Sequence, residues 1–255
     1  YKAGRKPARL NRVNSVLTDE QEAESRVNQQ VRLMEYLNTT PVVQFIEPNI
    51  EADDVIAYVS KHQKYSDWQK VIVSSDKDFI QVLDEKTILY RPTQSQILNT
   101  KRVVEEYGIH PTNFVLARAM AGDKSDNLDG VAGVGIKTAS KRFPFLKEEN
   151  EYYLTDIYDH CEKNVDSRLK VYSNILESRK VVDLNYEIMQ LSSPSLSAQT
   201  RERVVSILNE WQPEFNKTNF RAMLIKDGFG EINLDNLFEV FNKICFNIDK
   251  CLEIF

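Results

Sequence analysis

Seven carboxylates fall in three tight groups: Glu51, Asp53 and Asp54; Asp76 and Asp78; Asp123 and Asp126. Oxygen-only donors of this kind select hard cations, Mg²⁺ or Mn²⁺, over softer metals. Brought into one small volume without a cation, they would repel one another and raise their own pKa values. Two divalent ions held roughly 4 Å apart by such a set can bracket a phosphate ester for hydrolysis. His62, His110 and His160 are isolated from these groups and read as structural or surface residues. There is no Walker-type Gly-rich loop, which argues against an NTPase.

The third acidic group runs into a glycine-studded turn, Gly130, Gly133 and Gly135, and then a basic run, Lys137, Lys141 and Arg142. Glycines let backbone approach a ligand closely. A helix opening near Lys137 would aim free N–H groups at an anion, most simply a phosphate. A capped helix–turn–helix corner with solvated charges would explain the glycines alone, but not the acids upstream. Glu51 to Asp54 also have a plainer reading, since the helix dipole favours acids in a first turn.

The surrounding pattern must position these groups. Thr18 caps a helix over 18–38 with an apolar stripe of Val27, Val31, Met34 and Leu37, and Pro41 stops it. Val42 to Ile46 reads as a short strand, and Glu51 to His62 as a helix. Val71 to Ser75 is an apolar run typical of a buried parallel strand, delivering Asp76 and Asp78 at its C-terminal end. A short helix over Phe79–Leu83 follows, then a strand pair over Thr87–Tyr90 and Gln96–Leu98. Helices over Thr100–Tyr107 and Pro111–Ala121 come next, the second ending just before Asp123. Beyond Arg142 the pattern is helical, near 152–163, 167–181, 198–210, 216–227 and 233–247, with an extended crossing at Asn185–Ala198. Tyr152, Tyr153 and Tyr158 read as core aromatics rather than base-stacking residues.

A 255-residue chain with 42% hydrophobic and 28% charged residues is globular and can bury a sizeable core. No apolar run reaches membrane-spanning length and no signal peptide is evident. Three cysteines, odd in number and without metal-ligand spacing, point to a reducing, intracellular, cytoplasmic setting. The net charge of −5 conceals local basicity: residues 1–12 carry Lys2, Arg5, Lys6, Arg9 and Arg12 with no acid.

Five motifs in order carry a resemblance: Tyr-Lys-Ala-Gly-Arg at 1–5, Glu-Ala-Asp-Asp at 51–54, Ser-Ser-Asp-Lys-Asp at 74–78, Gly-Asp-Lys-Ser-Asp-Asn at 122–127 and Gly-Val-Ala-Gly-Val-Gly-Ile-Lys at 130–137. They are similar to those of the flap endonuclease and 5′-3′ exonuclease family, most closely its bacteriophage members, the phage RNase H-like 5′ nucleases. That resemblance implies an α/β fold with a mixed, mostly parallel central sheet of the PIN-like type. It implies a nuclease core over 1–145, with a helical arch at 1–40 and a helix–turn–helix DNA platform at 115–145, and a helical C-terminal region over 146–255. It implies hydrolysis of phosphodiesters near the 5′ end of flap, nicked or RNA-primed duplexes by a two-metal mechanism, in replication or repair. A non-catalytic DNA-binding module of the same fold and a PIN-like ribonuclease are the alternatives.

The implied roles are specific. Lys2 and Arg5 would steer the scissile phosphate. Glu51, Asp53 and Asp76 would hold the first metal, with Asp54 adjacent. Asp76, Asp78, Asp123 and Asp126 would hold the second. Lys6, Arg9, Gly133, Gly135, Lys137 and Lys141 would contact DNA. K⁺ would bind carbonyls of the glycine turn near Val131 to Val134. The implied partners are branched or nicked duplex DNA and RNA–DNA primer junctions, in the bacterial host cytoplasm if the chain is phage-encoded. A sliding clamp or single-strand-binding protein is a further implied partner, the clamp through the tail at Asp249–Phe255, although that tail reads more simply as a packed helix end. The family also has an N-terminal strand with a catalytic Asp and another Asp before the arch. Since the chain starts at Tyr1 in a basic segment, the expectation is that this segment is cleaved off or carried as a separate N-terminal fragment, without which the chain cleaves poorly.

Overall fold

The computed structural model describes residues 17–48, 50–192, 195–229 and 233–252, with side chains to 246. The chain divides into two units. Among the described residues one is contiguous, within Asn49–Leu196; the other joins the segment ending at Pro48 to the part beginning at Ser197.

The contiguous unit is a mixed α/β fold built on a three-stranded sheet: β1 (Lys70–Val73), β2 (Thr87–Arg91) and β3 (Gln96–Leu98). β1 pairs with β2 in parallel and β2 with β3 antiparallel, so the row Ile72, Leu89, Leu98 lies on one face. All three are buried. The opposite row differs from the expected fully buried strand. Val71 and Val73 are 52% and 64% exposed, and Ile97 beside Tyr90 is exposed as well. An apolar run reads the same whether one face or two are covered, and here only one is.

Around the buried face pack α2 (Ala52–Ser60), α3 (Thr100–Tyr107), α4 (Phe114–Ala121), α5 (Ile136–Arg142), α6 (Leu154–Lys163), α7 (Lys170–Glu177) and α8 (Arg179–Met189). Helix α4 is central. All of its residues but Ala121 are buried, and it packs along α8 and against α5. Two expectations fail in this region. The helix expected over 167–181 is two helices, broken at Ser178. The extended crossing expected from Asn185 starts later, because α8 runs to Met189. Asn185 reads as a loop former, yet it is buried and its side-chain amide donates to the carbonyls of Ala119 and Asp129 at 2.9 and 2.8 Å.

The second unit is helical: α1 (Asp19–Leu37), α9 (Ala198–Glu210), α10 (Lys217–Lys226) and α11 (Asp235–Leu252). Thr18 forms the expected capping box with Gln21. Phe220, Phe238, Phe215 and Phe241 form an aromatic cluster that Tyr36 joins from α1. Arg32 donates from Nε and Nη2 to Asp227 at 2.6 and 3.0 Å, and the Tyr36 hydroxyl adds a third bond to it. No ladder forms over Val42–Ile46, where a strand was expected. The Gln44 amide instead donates to the Met34 carbonyl and to Asn38, which ties this stretch to α1. Among the described residues no helix is long and apolar enough to cross a membrane.

Candidate active site

Asp76 and Asp78 follow β1, whose ladder extends one residue further through Ser74 N–H to the Tyr90 carbonyl. The Ser74 hydroxyl then accepts from the Asp76 amide, and the Asp76 carboxylate accepts from the Asp78 amide at 3.0 Å. These side-chain turns bend the chain sharply at the strand end and start the 3₁₀ turn Asp78–Val82. Its core residues Phe79, Ile80 and Val82 are buried, so the turn is anchored from beneath.

Asp123 arrives from the other side. Helix α4 ends at Gly122, whose φ of +70° turns the chain out. Asp123 then closes a small loop through paired backbone bonds with Leu128, at 2.9 and 2.8 Å. Its carboxylate accepts from the Ser125 amide and hydroxyl at 2.7 and 2.6 Å. Asp126 is buried within the loop, and Asn127 takes the left-handed conformation that lets it close.

The residue that joins the two approaches is Arg118. Its Nε donates to Asp78 at 2.8 Å and its Nη2 to Asp123 at 2.6 Å. Its side chain is only 9% exposed. Arg118 favours the charged form of both acids, yet their pKa values move in opposite directions. Burial pushes the Asp78 carboxyl up despite Arg118, and Asp76 and Asp123 add repulsion. Burial also pushes Asp123 upward, but hydrogen bonds from Arg118 and Ser125 outweigh it and hold the carboxyl at about 2.

The structure thus brings Asp76, Asp78 and Asp123 together. Glu51, Asp53 and Asp54 form their own group at the start of α2, which packs on the 3₁₀ turn of Asp78. Burial, with repulsion from Glu51, raises the Asp54 carboxyl against the bond it accepts from the Ser195 amide. Among the described residues no three acids, histidines or cysteines form a ready-made metal cage. The donor type nevertheless suits a hard cation, being carboxylate oxygen throughout, and the crowding at Asp78 is of the kind a cation relieves.

The glycine turn is held from behind. Val131 N–H bonds to the Met120 carbonyl, Asn185 to Asp129, and the Asn174 amide to the Ala132 carbonyl at 3.0 Å. Gly130 lies against the end of α4, where a Cβ would stand 2.0 Å from the Ala121 carbonyl oxygen. Gly133 and Gly135 instead face open space, and Lys137 and Lys141 are exposed beyond them. Lys2, Arg5, Lys6 and Arg9 lie outside the described residues, as do the side chains of the tail at Asp249–Phe255. Arg118 and the Gly122–Gly130 contact were not singled out from the sequence. The signal for Arg118 was present, as one charge in an otherwise apolar helix must find a buried partner.

Residues 1–108 match the family model described as the 5′-3′ exonuclease, N-terminal resolvase-like domain. The chain is 37% identical over 198 residues to the 5′-3′ exonuclease of Aquifex aeolicus, covering 77% of this chain and 61% of that protein. It is 33% identical over 147 residues to the 5′-3′ exonuclease of Buchnera aphidicola subsp. Schizaphis graminum, covering 56% and 49%. It is 32% identical over 141 residues to the thermostable DNA polymerase I of Thermus thermophilus, covering 55% and 15%. The chain therefore spans about half to three-fifths of the two 5′-3′ exonucleases. Its fold is similar to the zinc-bound T5 5′-exonuclease, with TM-score 0.62, 20% identity and coverage of 76% and 72%. A T5 flap endonuclease pseudo-enzyme–product complex with DNA and metal ions gives TM-score 0.61 at 20% identity, with the same coverage.

Proposed function

We propose, from the match of residues 1–108 to the 5′-3′ exonuclease N-terminal domain and the 37% identity to a 5′-3′ exonuclease, that the chain serves as a structure-specific 5′ nuclease of the flap endonuclease and 5′-3′ exonuclease family. Its substrates would be flap, nicked or RNA-primed duplexes, cut near the 5′ end in replication or repair. The observation that carries this reading is the convergence of Asp78 and Asp123 on Arg118, beside Asp76 and directly before an open glycine turn.

In this reading Asp76, Asp78, Asp123 and Asp126 hold one Mg²⁺ or Mn²⁺, and Glu51, Asp53 and Asp76 hold another, with Asp54 alongside. When bound, such ions neutralise the scissile phosphate and favour attack on phosphorus by water. The chain's own part is positioning. The Ser74 and Ser125 hydroxyls fix the turns that present Asp76 and Asp123. Gly133 and Gly135 leave room for a phosphate backbone to approach, and Lys137 and Lys141 contact it without reading sequence. Lys6 and Arg9 would add phosphate contacts, and Lys2 and Arg5 would face the phosphate being cut. A K⁺ ion at Val131–Val134 would share the Val131 and Ala132 carbonyls with the Val134 amide and Asn174, which already donate to them.

The test is cleavage of a 5′-flap duplex by the full-length protein with Mg²⁺ or Mn²⁺. Asp123→Asn combined with Asp126→Asn should lower single-turnover cleavage by about 10³-fold or more while binding is kept or improved, because charge that repels phosphate is removed. Normal turnover in the double variant would sink the assignment.

A further inference from the structure

We propose that Arg118 is a built-in counter-ion of the acidic site. It holds Asp78 and Asp123 together when no divalent cation is bound, and it competes with that cation for the same oxygens. The inference rests on reading these acids as cation ligands and adds a regulator to them.

Arg118 sits within α4 between Ala117 and Ala119, both wholly buried, with Leu116 and Met120 on either side also buried. A permanent charge in that setting is tolerated only when paired. Its pairing is divided: Nε serves Asp78 and Nη2 serves Asp123, and each bond has charge-assisted length. The two acids come from different elements, the strand end after β1 and the loop after α4. One rigid guanidinium therefore sets the spacing between them. With Asp76 adding a third negative charge nearby, the fork also neutralises a cluster that would otherwise repel itself.

A divalent cation seeking these carboxylates meets a like charge already in place. To take the oxygens that Arg118 holds it must displace Nε and Nη2, and to use the remaining lone pairs it must sit within a few ångströms of the guanidinium. Either route weakens metal binding relative to a site without Arg118. The counter-ion thus keeps the site assembled without metal at the cost of metal affinity.

The experiment uses the full chain and two variants, Arg118→Met and Arg118→Lys. Mn²⁺ binding is measured by calorimetry, and the melting midpoint is measured with chelator and with saturating Mn²⁺. Arg118→Met should melt lower than the parent in chelator, recover more on adding Mn²⁺, and bind Mn²⁺ about tenfold more tightly or better, since a charge repelling the ion is gone. Arg118→Lys keeps the charge but not the fork. It should melt lower in chelator and bind Mn²⁺ within about threefold of the parent. Should Arg118→Met fail to fold in chelator, the Arg118 Nε–H resonance of the parent decides. It should be protected from exchange without metal and shift saturably with Mg²⁺. An unmoved resonance at saturating Mg²⁺, or equal or weaker Mn²⁺ binding by folded Arg118→Met, overturns the role of Arg118. Absence of Mn²⁺ binding by parent and variants alike overturns instead the reading of the acids as cation ligands.

Discussion

A single methyl group tests the turn that presents Asp123. A Cβ on Gly130 would meet the Ala121 carbonyl oxygen at 2.0 Å, and one on Gly122 would meet the Gly130 nitrogen at 2.4 Å. Both obstacles are backbone and cannot swing aside. Gly130→Ala should therefore cost about 1–3 kcal/mol or more. Gly135 has φ −115°, which any residue adopts, and nothing lies within 4 Å of its would-be Cβ. Gly135→Ala should change stability by less than about 0.5 kcal/mol. Urea titration of the two variants checks the contrast, and equal midpoints would mean that the packing of Gly130 on α4 is not what holds the turn. The same pair marks what was legible at this scale. The acids announce themselves by type and spacing because their chemistry is local. Gly122 and Gly130 work by touching each other's backbone, and Arg118 by reaching Asp78 in another element, neither of which a linear pattern displays.

Among the elements, α6 packs through an aromatic nest that encloses His160. Its ring lies 5.2 Å from Phe143, 5.5 Å from Phe145 and 5.7 Å from Tyr172, centroid to centroid. Burial lowers the His160 pKa, aided by Lys163 and opposed by a hydrogen bond with the Arg142 backbone. A histidine depressed in the folded state binds its proton more readily when unfolded. Its contribution is therefore present above the unfolded value of about 6.5 and is lost as pH falls through the window below it. His110 is depressed by burial too and acts in the same direction. The melting midpoint should decline as pH falls from about 7 through the window below about 6.5, and His160→Leu should make that decline shallower without abolishing it. An unchanged slope in the variant would place the proton uptake elsewhere. Some helices carry a start signal at their own end, as Thr18, Asn99 and Ser197 cap α1, α3 and α9. The conformation of Val42–Ile46 was not legible, because a short apolar run says nothing about whether a neighbouring strand exists, and Gln44 binds the stretch to α1 instead. Asn185 misled for a related reason: its acceptors lie in α4 and the glycine turn, far from it in sequence.

For the whole molecule, the division into a contiguous unit and one assembled from two distant stretches has a consequence in time. The Arg32–Asp227 bond spans 195 positions of sequence. At a synthesis rate of about 5–20 residues per second, α1 leaves the ribosome roughly 10–40 seconds before its partner exists. During that interval it has its capping box but no buried side chain of its own, and most of a helix's stability in a protein comes from tertiary packing. Asn49–Leu196 has no such wait, since each contact within that unit is available once Leu196 emerges. Chains arrested at increasing lengths and pulsed with protease should show the Asp76–Asp123 region protected as one step, while α1 stays cleavable until α10 is out. Early protection of α1 would mean that it finds another partner first. The unit bearing the acids is therefore finished while the first helix of the other still waits, so the birth of the site is separated from the birth of its companion unit by the ribosome's own clock.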